Sequence, residues 1–173
     1  MTVMDRNAEI RAAQERVTDI YRKKPNTAFS TTHASAHIDD GLTCTFHQGD
    51  RRAVMDMSKV LGGNGKGPTP GFFIRAGLAG CVAIGIKLTA VREAIVIDTL
   101  DVDIEMDFDD SAMFGISSNS AAPLETRFII TLRSPSPWED VIAMVDRALA
   151  IDPFFIALRD AQKVTARLIA GKA

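Results

Sequence analysis

Cysteine is nearly absent. Cys44 and Cys81 are the only two in 173 residues, too few for a disulfide framework and without the spacing of a metal motif. Neither sign of charge dominates: 20 Lys and Arg against 22 Asp and Glu leave a net charge of -2. No basic field therefore points to nucleic acid or to an acidic membrane surface. A long hydrophobic run is also missing. The most apolar stretch, residues 76–86, is too short to span a bilayer and is flanked by Arg75 and Lys87. Residues 1–22 are charged throughout, so no signal peptide is expected. These absences read as a soluble protein of the reducing cytoplasm, with no membrane or nucleic-acid partner. With 46% hydrophobic and 24% charged residues the chain is globular rather than disordered. Its length suits one domain with a real core, or one domain with an extension, and no repeat is apparent.

What is present centres on residues 67–86, Gly67-Pro68-Thr69-Pro70 followed by a long run of small and apolar residues with Cys81 in its middle. A proline in a first helical turn and the apolar run predict a helix. At 3.6 residues per turn, Ile74, Gly77, Leu78, Ile84, Gly85 and Leu88 share the face of Cys81, and none is charged. That face is expected to be buried, with its glycines and alanines letting another backbone approach.

Taken in order, residues 4–24 predict a helix with Ile10, Ala13, Val17, Ile20 and Tyr21 on its apolar stripe, ended by Pro25. This N-terminal arm, residues 1–27, reads as a packing or dimer element, and residues 28–173 as the main domain. Residues 28–39, 42–48 and 52–57 predict a meander of three antiparallel strands with turns at Asp39-Asp40-Gly41 and Gly49-Asp50. A glycine-rich loop, 61–67, leads into the central helix. Residues 95–108 alternate apolar and acidic, a half-exposed strand whose acids read as a solvated face rather than a metal site. A loop over 112–122, a strand over 124–132, a helix over 137–149 with Val141, Ile142, Val145 and Leu149 inward, a short helix over 154–158 and a closing strand over 164–169 complete the chain. The class is α+β, an antiparallel sheet covering an apolar helix.

The stretch from Gly67-Pro68-Thr69-Pro70 to Leu78-Ala79-Gly80-Cys81 resembles the central helix of the OsmC/Ohr family, with its Gly-x-x-Pro turn and later cysteine. Residues 123–132 resemble that family's late strand, residues 138–149 its following helix, and residues 151–158 its second-cysteine motif; the resemblance covers roughly residues 28–169. It implies an OsmC-like fold in which two chains form an intertwined homodimer around their central helices. It also implies that Cys81 is a peroxidatic cysteine, oxidised by an organic hydroperoxide to a sulfenic acid. A second cysteine then pairs with it, and a dithiol reductant resets the pair. No cofactor or metal is called for.

Three positions depart from the family pattern. Gly71 stands where the Ohr branch has a glutamate. Asp152, before Pro153, stands where the second cysteine belongs. Where the family has an arginine in its early strands, near residues 37–40, no arginine occurs; Arg51 and Arg52 are the nearest substitutes in sequence. Arg75 and Lys87 are each six positions from Cys81 and point away from its face. Two readings of Cys81 therefore stay open, a reactive thiol and a buried cysteine of the core. A carboxylate at Asp152, if close to Cys81, disfavours the thiolate. Phe72, Phe73, Phe154 and Phe155 are candidates to line an apolar pocket for an organic hydroperoxide or another hydrophobic ligand, or to pack in the core. Cys44, in a strand, reads as structural, and His33 and His37 as exposed strand residues rather than metal ligands. Function divides into a weak thiol peroxidase acting through Cys81 and a non-catalytic dimer that binds a small hydrophobic ligand.

Overall fold

A proline in its first turn and a run free of interior proline or β-branched clusters set the longest helix, α2, Pro70–Arg92. The structure is a computed structural model and describes residues 3–38 and 40–169. Before α2 come helix α1, Val3–Lys23, and three strands, β1 Ser35–His37, β2 Cys44–Gln48 and β3 Arg51–Met55. After it follow β4 Thr99–Asp107, β5 Glu125–Arg133, α3 Trp138–Ile151 and the short α4 Pro153–Arg159. The strands form two antiparallel sheets, β1-β2-β3 and β4-β5. The tight β2–β3 turn is made at Gly49, whose φ of 59° suits glycine. In the turn before β2, Asp39 lies outside the described residues.

The core lies between α2, α3 and β4-β5. Val82, Ile86 and Ala90 of α2 meet Met144 and Ala148 of α3 and Ile97. Leu100, Val102, Phe128 and Ile130 close over them from the β4-β5 sheet. Ile86 and Met144 are wholly buried, each such side chain contributing about 1.5–3 kcal/mol by removal from water. Helix α1 lies on the C-terminal half of α2: Arg11 Nε donates to the Val91 carbonyl at 3.0 Å and Gln14 Nε2 to that of Leu88 at 3.2 Å.

Several expectations change. Within this chain the buried side of α2 is Leu78, Val82, Ile86, Thr89 and Ala90, about a quarter-turn from the face centred on Cys81, while Ile74 and Ile84 are exposed. Apolar residues surround this helix on nearly every side, so periodicity could not choose between faces. In α3 Val141, Met144 and Ala148 are buried, and Val145 and Leu149 pack on the core as expected, but Ile142 is exposed. The first strand is confined to residues 35–37 and β4 starts at Thr99, after the turn that follows α2. Residues 164–169 form no strand and pair with none among the described residues, with Leu168 94% exposed. By length and composition alone α2 is long and apolar enough to cross a membrane, although its apolar core run had read as too short; here it packs against α1, α3 and β4.

The acidic face of β4 has a partner that the alternation alone did not reveal. Arg127 of β5, opposite Glu105 in register, donates to Glu105 at 2.9 Å and to both oxygens of Asp107 at 2.6 and 3.0 Å, and lies 2.8 Å from Glu125.

Candidate functional site: Cys81 and Asp152

The approach to α2 is fixed by one buried carboxylate. Asp56, at the end of β3, is 1% exposed. Its oxygens accept from Thr43 Oγ1 at 2.9 Å and from the backbone N–H groups of Met57, Lys66 and Asn64 at 2.7, 3.1 and 3.4 Å. Burial opposes ionisation, but these donors outweigh it and hold the Asp56 carboxyl below its ordinary value. The Asp56 N–H donates to the Pro68 carbonyl at 3.2 Å. Gly67 must be glycine here, because a Cβ would lie 2.4 Å from the Val54 carbonyl oxygen. So the Gly-x-x-Pro turn is tied to the three-stranded sheet, and α2 starts from a set position. An aspartate entering a glycine-rich loop is the sequence signal that would have found this anchor.

Cys81 lies midway along α2 and is half-buried; Cys44, in β2 opposite Met55, is likewise half-buried, and both are free thiols. At the junction of α3 and α4, Pro153 keeps the preceding residue out of helical geometry, and Asp152 is extended at φ −74°, ψ 120°. That conformation suits an N-cap. Asp152 Oδ1 accepts from the N–H groups of Phe154 and Phe155 at 3.1 and 2.8 Å.

The other oxygen, Oδ2, is buried and has no hydrogen-bond partner of good geometry among the described residues. It rests on α2 at Gly85, where a Cβ would come within 3.2 Å of it. Gly85 is one turn beyond Cys81 on the same face. Burial, then the nearby Asp152 carboxylate and its charge, push the Cys81 thiol above its ordinary value of 9.0, and the Phe154 N–H pulls only partly the other way. No arginine or lysine contributes to that shift. Glycine on this face thus admits a carboxylate.

The remaining sequence candidates spread out. Arg75 reaches back over Gly71, its guanidinium 3.3 Å from where a Cβ would be. Arg51 is exposed at the outer end of β3, 3.9 Å from Asp50. Phe72 and Phe73 meet edge to face at 5.5 Å in the first turn of α2, and Phe72 is exposed. Phe155 packs instead on Phe128 at 5.6 Å, and the open groove beside that pair is lined by Leu124, Thr126 and Leu158, not by Cys81. Phe154 is exposed, with its backbone beside Cys81. His33 and His37 are exposed on and beside β1. Among the described residues no group of three or more His, Cys, Asp or Glu side chains could hold a metal ion.

The family model described as OsmC-like protein matches residues 63–167, more than half of the chain. The chain belongs to the OsmC-like family. Its fold is that of solved OsmC-like proteins. An OsmC-like protein from Mycoplasma pneumoniae is 18% identical, with 75% of this chain and 88% of that one covered and a TM-score of 0.62. An organic hydroperoxide resistance protein OsmC from Legionella pneumophila is 20% identical over 76% of this chain and 90% of its own, with a TM-score of 0.52. An OsmC-like hydroperoxide resistance protein from Jannaschia is 21% identical over 81% and 92%, with a TM-score of 0.52. A comparison with curated proteins finds no match. In this OsmC-like chain, then, the central-helix cysteine has a buried carboxylate, Asp152, against its face of α2.

Proposed function

We propose that this OsmC-like chain is a slow, cysteine-dependent peroxidase for organic hydroperoxides, acting as a cytoplasmic homodimer and recharged by an external thiol. One observation carries the reading: Cys81 stands half-buried on the central helix against the residue at the second-cysteine position. The sulfur attacks the distal peroxide oxygen and the O–O bond breaks. Cys81 becomes a sulfenic acid, and the alkoxide leaves as an alcohol with the thiol's proton. The turnover is slow because burial and the Asp152 carboxylate keep the thiol protonated at neutral pH. With no second cysteine at residue 152, a small thiol must reduce the sulfenic acid.

The dimer is supported by area. The chain exposes 13058 Å², against about 8,300 Å² for a compact monomer of its mass. The excess includes Ile74 and Ile84 on either side of Cys81. A second chain is the partner that an apolar, self-complementary face of this kind fits. Light scattering at micromolar protein should give twice the chain mass; a monomer mass counts against the dimer.

The reading is tested with cumene hydroperoxide. Mass spectrometry should find a dimedone-trapped sulfenic acid on Cys81 and no Cys44–Cys81 bridge, with turnover sustained by a small thiol and abolished by Cys81→Ser. The Asp152 carboxylate favours a second reading, a non-catalytic dimer holding a small hydrophobic ligand. Hydroperoxide consumption no faster than that of Cys81→Ser would select it.

A further inference from the structure

Asp152 is 4% exposed, yet only one of its oxygens has work in the fold. Oδ1 caps α4 through Phe154 and Phe155. Oδ2 has no hydrogen-bond partner among the described residues and is set against the Cys81 face of α2, over Gly85, which has no side chain. A buried carboxylate oxygen left without a full partner is costly unless something else requires it. A cap alone does not require a carboxylate, since asparagine or serine caps as well. What Oδ2 adds is a proton acceptor beside a thiol.

We infer that Asp152 is the proton carrier of the peroxidase step: its Oδ2 takes the proton from Cys81 Sγ as the sulfur attacks and returns it to the departing alkoxide. The inference rests on the peroxidase reading above. In balance, the sulfur lone pair forms the bond to the distal oxygen of the organic hydroperoxide and the O–O bond breaks towards the proximal oxygen. The sulfur is oxidised by two electrons, and the thiol's proton passes through Asp152 to give the alcohol. Asp152 ends as it began, as a carboxylate. The same carboxylate that hinders resting thiolate therefore relays the thiol's proton to the departing alkoxide. Alkylation by iodoacetamide also releases the thiol's proton, but its leaving iodide needs none returned, so it has no use for the return step.

This difference gives the test. Cys81 oxidation by cumene hydroperoxide and Cys81 alkylation by iodoacetamide are timed at neutral pH in the full chain and in Asp152→Asn. Asp152→Ser serves as a second variant that keeps a capping oxygen, and circular dichroism melting checks the fold of each. Asp152→Asn should alkylate faster, because the charge opposing thiolate is gone. Its oxidation rate divided by its alkylation rate should fall about 100-fold, the lower range of general acid–base contributions. Asp152→Ser should do the same. An unchanged ratio, with oxidation and alkylation rising together, overturns the inference and leaves the peroxidase reading intact. No oxidation of Cys81 in the unaltered chain overturns both.

Discussion

Among the described residues two aspartates are buried, Asp56 and Asp152, and they differ in what surrounds them. Asp56 is met by four donors, and both of its oxygens are used. Asp152 is nearly as buried, but two backbone donors share one oxygen and the other faces a thiol. A fully satisfied buried carboxylate holds backbone segments together. A half-satisfied one has interaction capacity left over, and here that capacity is aimed at Cys81. Burial alone does not separate a structural acid from a chemical one; the count of donors does.

Breaking this contrast should affect stability most at Asp56. Asp56→Ala strands the Thr43 hydroxyl and three backbone N–H groups. It should give the largest fall in melting temperature of any substitution named here, while Cys81 labelling in the remaining folded protein stays slow. The same site predicts the acid limb. Because the Asp56 carboxyl is held below 3.8 in the folded chain, its stabilisation is complete above that pH and lost as pH falls through the lower folded value. Acid unfolding should therefore shift upward in Asp56→Asn. Cys81 has the opposite sign: its raised thiol costs the fold nothing below 9.0, and stability declines as pH climbs above it. Cys81→Ser should flatten that alkaline decline in urea titrations.

Gly67→Ala comes next. Its Cβ meets backbone at 2.4 Å, and neither the β3 carbonyl nor the turn can yield cheaply. About 1–3 kcal/mol of stability should be lost, measured by chemical denaturation.

Asp152→Ala should cost less, about 1 kcal/mol, for one lost N-cap. Most of that should return in Asp152→Asn. A loss as large as that of Asp56→Ala would erase the distinction between the two acids.

The smallest effect is expected at Gly71→Glu, which puts a carboxylate four residues before Arg75. The guanidinium already lies there at its flexible end, so the pair should add about 0.3–0.5 kcal/mol. Cys81 labelling should be unchanged, because Arg75 is turned from its face.

Much of this was legible before any coordinates. Turn chemistry at Gly49-Asp50, the Pro70 start of α2, the alternation of β4 and the break at Asp152-Pro153 are local signals, and each element they announce is present. The seat of Cys81 was legible only through the resemblance. Two kinds of information were out of reach. An all-round apolar helix gives no clue to which side a single chain covers, so the buried face was placed about a quarter-turn off. Residues 164–169 read as a strand, but strand pairing needs a neighbour, and none among the described residues pairs with them. Asp152 could be singled out, but its nearness to Cys81 depends on how α4 folds back on α2, which no local pattern encodes.

Gly85 carries a consequence for how this chain can change. The space above it is filled by Oδ2 of residue 152, so the two positions compete for one small volume and their substitutions will not be additive. A side chain shorter than aspartate at 152 needs no change at 85, and Asp152→Cys is such a step. Any bulk at 85 must first expel whatever occupies 152. The order of substitution therefore matters: residue 152 is free to vary in chemistry only while residue 85 stays bare.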